Sequence, residues 1–223
     1  MLTLKAHGAA VGAALVLATT AHAATTNGFA NGGFETVDTA TNQPVGWGLG
    51  DSSPPVLSTD AHSGAYSLLL SRPGGFGGSG MEQNSVGAGL AALTDANVGD
   101  APWLSFWAKG DASPTGNAKY VLRYVGDAGV LYDSGFQYFE NQLNTSSWTQ
   151  ISFQAAAIPA GTRSVYLLMN TAVGPLLDGR VNAIYVDDIQ LTLTTAPVPE
   201  PSTYALLAGG LAVLGMAARR RRV

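Results

Sequence analysis

Three kinds of side chain in this sequence have the chemistry for a functional site. The first are carboxylates: Glu35 near the beginning, and the adjacent Asp187 and Asp188 far along the chain. In the alternating run Tyr185 to Leu193, Asp187 falls on the face of Tyr185, Ile189, Leu191 and Leu193. A carboxylate on an apolar face is costly unless it is paired or metal-bound. That favours Asp187 over Asp188, although a bulge would reverse the choice. The second is His62, the only histidine outside the first 23 residues. A Ser-His-Asp triad would have to use it, and no nucleophile-elbow sequence partners it. The third is the most aromatic stretch, Tyr120 to Phe139, where Arg123, Asp133 and Gln137 interleave with six rings. Exposed rings stack on the apolar faces of sugars while polar neighbours take the hydroxyls. If any surface of the chain binds carbohydrate, it is expected here, with Tyr124, Tyr132, Tyr138 and Arg123 as the candidate residues. The competing reading is that these rings alternate into a core.

Composition removes other chemistries. There is no cysteine, so thiol catalysis, cysteine metal sites and covalent haem are excluded. Zinc catalysis needs more histidine than the chain has. Acidic residues are sparse and none sits in a recognisable catalytic context, so no enzyme is expected. The glycine-rich Pro73 to Gly80 lacks the lysine and helix start of a phosphate loop and is expected to be an ordinary loop. Four of the eleven basic residues are Arg219, Arg220, Arg221 and Arg222, and the rest of the chain is acidic, which argues against a nucleic-acid partner.

The elements that must position these residues are strands. Turn-forming glycine, proline, asparagine and aspartate clusters recur through Thr25 to Thr194, and no stretch sustains a helical period. Ala65–Ser71, Trp103–Lys109, Ala118–Val125, Trp148–Gln154, Ser164–Asn170 and Tyr185–Leu193 are the clearest. Roughly eight to ten strands in one domain predict an all-β sandwich of two packed antiparallel sheets. Leu90 to Val98 is the only plausible short helix, and Asn84 to Asp100 could equally be loop.

The two ends have a different character. One lysine, Lys5, precedes an apolar stretch from about Gly8 to Ala18, and Ala21-His22-Ala23 has the small-x-small pattern of a signal cleavage site. Residues 1–23 are expected to be a signal peptide cut between Ala23 and Ala24, leaving a domain over 24–194. At the other end, a linker with Pro199-Glu200-Pro201 (195–201) leads into an apolar run and the four arginines (202–223). A helix there would be about 25 Å long, slightly short of a hydrocarbon core, and snorkelling arginines would extend it. The positive cluster belongs on the cytoplasmic side, as an anchor in the inner membrane. Pro-Glu-Pro, a short apolar helix and terminal arginines in this order resemble the PEP-CTERM sorting signal. That resemblance implies processing by an exosortase and delivery to the cell surface or extracellular matrix.

Between the ends, Asn31-Gly32-Gly33-Phe34-Glu35, Pro44-Val45-Gly46-Trp47, His62 to Leu68, Leu104 to Gly110, Trp148 to Phe153 and Ile184 to Leu191 follow one another in order. This series resembles carbohydrate-binding modules of the CBM4/9 type, a galactose-binding-like jelly roll. The resemblance implies that Trp47, Trp107 and Trp148 pack the core or the sheets. It also implies that the first and last strands meet, so that Glu35, Asp187 or Asp188 and carbonyls of the Asp60–Gly64 turn would cage a structural Ca2+ ion, an oxygen-loving cation. The expected function is non-catalytic binding of extracellular polysaccharide. The alternative is a structural matrix protein using the same sandwich for protein contacts.

Overall fold

The structure, a computed structural model, describes residues 24–72, 78–110, 117–172, 182–195 and 209–211. The chain divides into two units: Ala23–Ala196, and Met1–His22 with Pro197–Val223. In the second unit the described residues are 209–211, which are helical. The signal segment with Ala23, the Pro199-Glu200-Pro201 motif and Arg219 to Arg222 lie outside the described residues, as does 73–77 of the glycine-rich loop. Among the described residues no helix is long and apolar enough to cross a membrane.

In chain order the strands of the large unit are β1 (Ala24–Asn27), β2 (Val37–Asp38), β3 (Gln43–Pro44), β4 (Gly48–Leu49) and β5 (Val56–Ser58). Next come β6 (Ser67–Arg72), β7 (Ser79–Asn84), β8 (Trp103–Gly110), β9 (Asn117–Gly126) and β10 (Gly129–Asp133). β11 (Gln137–Tyr138), β12 (Thr149–Gln154), β13 (Thr162–Ala172) and β14 (Asn182–Thr195) complete the set. They form two large antiparallel sheets. The first runs β12-β8-β14-β6-β5, with β1 also on β14; the second runs β10-β9-β13-β7-β4, with β11 also on β9. The all-β sandwich is as expected. Of the two readings open for Leu90 to Val98, helix or loop, the structure has the loop, with one 3-10 turn, Asp95–Asn97, capped by Thr94.

Alternation builds the core. On β8, Leu104, Phe106 and Ala108 are buried, while Trp103, Ser105, Trp107 and Lys109 face out. On β13, Val165, Leu167 and Met169 point in and Tyr166 and Leu168 point out. Phe106 is fully buried and meets Phe139 edge-on with ring centroids 5.0 Å apart. β14 departs from strict alternation. Its register against β8 shifts between Asp187 and Gln190, and Asp188 takes a left-handed φ of 50°. Val186 and Ile189 therefore both point inward, and Tyr185, expected on the face of Ile189, lies on the outer side with Lys109.

Phe106→Ala should lower unfolding free energy by about 3–5 kcal/mol, the usual cost of emptying a buried phenylalanine site. Urea denaturation reads this directly, and a loss under about 1 kcal/mol would place the ring outside the core.

Candidate functional site

The bulge on β14 delivers Asp187 and Asp188 to the turn that precedes β6. Asp187 is fully buried. Its Oδ2 accepts the backbone N–H of His62 at 2.8 Å and of Ser63 at 3.1 Å, and its Oδ1 accepts the N–H of Asp188 at 2.7 Å. Asp188 takes the neighbouring side chains: His62 Nδ1 lies 2.6 Å from its Oδ2, and Ser63 Oγ donates to its Oδ1 at 2.7 Å. Glu35 reaches the same turn from the other side, accepting the N–H of Ala65 and of Tyr66 at 3.0 Å each.

The Asn31 to Glu35 segment is shaped for this meeting. Asn31 sits at φ 49°, and its side chain binds Thr36 in both directions and the Val45 carbonyl. The Asn31 carbonyl accepts Trp47 Nε1 at 2.9 Å. Gly32 lies so close to β14 that a Cβ would fall 1.9 Å from the Ile189 carbonyl oxygen, so only glycine fits there. Phe34, at φ 60°, is fully buried against Trp47 with centroids 5.5 Å apart. A bulky residue at positive φ is strained, and burial of its ring offsets the cost.

The arrangement is a clasp between the ends of the domain, and it does not resemble a nucleophile relay. Ser63 and His62 both bind the Asp188 carboxylate, and the His62 ring is stacked on Trp107 at 3.8 Å. The clasp also does not fit a calcium cage. Calcium takes six to eight oxygens, whereas both oxygens of Glu35 and of Asp187 face N–H donors. Among the described residues no group of three or more acidic, histidine or cysteine side chains is placed to hold a metal. Glu35, Asp187 and Asp188 are brought together as expected, but as acceptors of N–H and O–H.

The proposed glycan residues do not share one surface. Tyr124 is fully buried, and its hydroxyl donates to the Ala156 carbonyl at 2.7 Å, so it cannot stack on a sugar. Tyr132 is half-buried and leans on Tyr124 at 5.4 Å. Both follow the inward face of the sandwich, which is where the competing reading put them. Tyr138 is 53% exposed, and Arg123 lies on the outer face of the second sheet. Cross-strand register there aligns Asn84, Tyr166, Arg123 and Asp133 in one row. Tyr166 donates to Glu82 at 2.5 Å, the Arg123 guanidinium lies 5.4 Å from the Tyr166 ring centre, and Arg123 Nε binds Asp133 at 2.7 Å. Burial and the Glu82 carboxylate push the Tyr166 pKa upward, so the phenol stays a neutral donor. Asp133 is held below the usual carboxylate range by its bond to Arg123. Beside this row Lys119 lies 4.0 Å from the ring centre of Phe136, which is 52% exposed.

Tyr166 and Glu82 stand in this row without having been among the expected site residues. The alternation in Ser164 to Asn170, which turns Tyr166 away from Val165, Leu167 and Met169, was the available signal. Of the tryptophans, Trp47 is buried as the framework implied. Trp107 and Trp148 are half-buried on the outside of the first sheet, where Lys109 packs on Trp148 and Tyr185 and pairs with Asp60.

Residues 197–222 match the PEP-CTERM protein-sorting motif. The chain carries a PEP-CTERM sorting tail. This motif implies exosortase-sorted export. No curated protein matches the chain. Among solved structures, the enzymatically active domain of tailspike protein 4 from bacteriophage CBA120 is similar at TM-score 0.53 and 18% identity, over 75% of this chain and 21% of that one. This chain therefore spans about a fifth of the tailspike, and the likeness concerns the fold. The CBM22-1 xylan-binding domain of Xyn10C from Paenibacillus barcinonensis aligns at TM-score 0.44 and 19% identity, over 74% of this chain and 92% of that one. TmCBM61, solved with beta-1,4-galactotriose, aligns at TM-score 0.45 and 14% identity, over 74% and 97%. The structural neighbours are mostly carbohydrate-binding modules built as β-sandwiches.

Two outcomes follow for the clasp. Burial, against the pull of the Ser63 amide, raises the Asp187 pKa from 3.8 to about 6. The folded state thus holds this proton more tightly than the unfolded chain. The stabilisation it gives is complete below pH 3.8 and lost as pH rises through about 6. Stability of the wild type minus that of Asp187→Asn should fall across this window and level off above it. A flat difference in pH-dependent denaturation would contradict the shift. A clasp closed by N–H donors also predicts that a calcium chelator leaves the melting temperature unchanged, and a drop of several degrees would restore the calcium reading.

Proposed function

We propose that this exported, exosortase-sorted protein binds polysaccharide along the outer face of the second sheet, at the cell surface or in the extracellular matrix, without catalysis. The supporting observation is the row that joins Glu82, Tyr166, Arg123 and Asp133 across β7, β13, β9 and β10. An outward aromatic ring offers stacking area, and the carboxylate and guanidinium beside it supply acceptors and donors for hydroxyls in a fixed order. The hydrogen bonds within the row hold the groups in place before a ligand arrives, which lowers the entropic cost of binding. Tyr138 and Phe136 extend the apolar strip toward β11.

The outer face of the first sheet offers less. Its rings contact one another and Lys109, and Lys109 is already paired with Asp60.

Affinity electrophoresis or a glycan array with the purified protein tests the assignment. Tyr166→Ala and Arg123→Ala should each weaken polysaccharide binding by roughly tenfold or more, about 1.4 kcal/mol or above, while Trp148→Ala leaves it unchanged. Equal binding in all three variants, or loss only in Trp148→Ala, would refute the face. No binding by the wild type to any polysaccharide would favour a structural matrix role.

A further inference from the structure

A cavity of about 200 Å³ lies where β10 and β11, at one edge of the second sheet, face β12, at the edge of the first. Tyr120, Tyr132, Phe153, Ser134, Gln137 and Gln154 line it, over a floor of leucines. This is the inward side of β9, opposite to the face that carries Arg123 and Tyr166.

The polar groups in this cavity are unusual for a core. The Tyr124 hydroxyl, four residues along β9 from Tyr120, is satisfied by the Ala156 carbonyl. No hydrogen bond ties the Tyr120 or Tyr132 hydroxyl to another described residue, and neither oxygen is among the fully buried unpartnered ones, so both open to the solvent in the cavity. Hydroxyls that reach solvent inside a cavity and bind no protein group are free to bind a ligand that takes the place of water. Ser134 is committed, accepting from Leu122 N and donating to the Gly135 carbonyl, and Gln137 Nε2 donates to the Ser134 carbonyl. The Gln154 side chain lies at the exposed mouth. Burial with the Tyr132 phenol nearby pushes the Tyr120 pKa up to about 12, so its hydroxyl remains a neutral donor.

Size and charge narrow the occupant. The space is smaller than the roughly 300–1,000 Å³ of sites that enclose drug-sized ligands. It therefore takes one ring and not a chain. None of its lining residues is charged. The rings of Tyr120 and Phe153, tilted at 48° with centres 5.1 Å apart, form an apolar wall beside two free phenols and two amides. That mixture suits a ring with apolar C–H faces and a rim of hydroxyls.

We infer that this edge cavity is a second sugar subsite that takes a single neutral hexose at the end of a glycan chain, separate from the outer face. The ligand class rests on the proposed polysaccharide binding, and the site itself does not. Titration of the purified full chain with galactose, glucose and mannose, and separately with glucuronate and glycerol, tests it by amide chemical shifts. At least one neutral hexose should give saturable shifts at Tyr120, Tyr132 and Phe153, with a Kd on the order of 1 mM. Glucuronate should bind at least about tenfold more weakly. The isosteric double variant Tyr120→Phe with Tyr132→Phe should lose these shifts and melt no lower than wild type, because the hydroxyls have no internal partners to lose. Tyr166→Ala should retain hexose binding. No saturable shift with any hexose, an equal response to glycerol, unchanged affinity in the double variant, or loss in Tyr166→Ala would each overturn the subsite. Polysaccharide binding that fails while hexose binding persists would sink the outer-face reading alone.

Discussion

The buried carboxylate of Asp187 is the constraint around which the rest of this domain is arranged. Removing a carboxylate from water is among the costliest steps in folding, and it is tolerated where fixed donors replace the water. Here the donors are backbone N–H groups of His62 and Ser63, so β14 is fastened to a turn 125 residues earlier in the chain. Glu35 does the same for the segment after β1 by accepting Ala65 and Tyr66. One short turn, closed at Gly64 with φ 64°, thus receives both ends of the domain. Three of the four described non-glycine residues at positive φ, Asn31, Phe34 and Asp188, belong to this junction. Local strain is concentrated there because long-range contacts over-determine the conformation.

That junction frees the second sheet. With the ends of the domain gathered on the first sheet, β9 and β13 form the middle of the second with long, regular pairing from Asn117 to Val125 and Ser164 to Ala172. Side chains on such strands are placed by register, which gives a more precise surface than a loop can provide. The inward and outward faces of β9 then do different work. Tyr120, Leu122 and Tyr124 build the core and its edge cavity, while Lys119 and Arg123 stand outside among aromatic rings.

Much of the fold was legible in the sequence because alternation with a period of two is a direct record of which side of a sheet is wet. Strands β8, β9, β12 and β13 were found within a few residues of their observed ends. What escaped was the bulge at Asp187 and Asp188. One inserted residue reverses parity, so Tyr185 moved to the outer face while Asp187 remained buried. The Leu90 to Val98 segment stayed open between the two readings because its apolar spacing is too short to distinguish a helix from a loop pinned by Leu93 and Asn97. At the site, the pairing of Glu35 with the Asp60–Gly64 turn was legible, but the atoms that face it were not. Carbonyls suited to calcium and N–H groups suited to carboxylates come from the same residues, and only backbone direction separates them. The aromatic stretch was ambiguous for a related reason: Tyr124 and Tyr138 look alike until register assigns one to each face.

Topology also ties folding to the sorting tail. β14 is central in the first sheet, pairing with β1, β6 and β8, and it ends at Thr195, two residues before the PEP-CTERM motif begins at 197. Until β14 is in place, Leu70, Phe106 and the other inward side chains of its neighbours lack their cover, and Asp187 has not met its amides. Contacts this distant in sequence require loop closure before they return any stabilisation. There are no cysteines to hold partial structures meanwhile. Completion of the sandwich therefore requires nearly all of the chain up to its sorting motif.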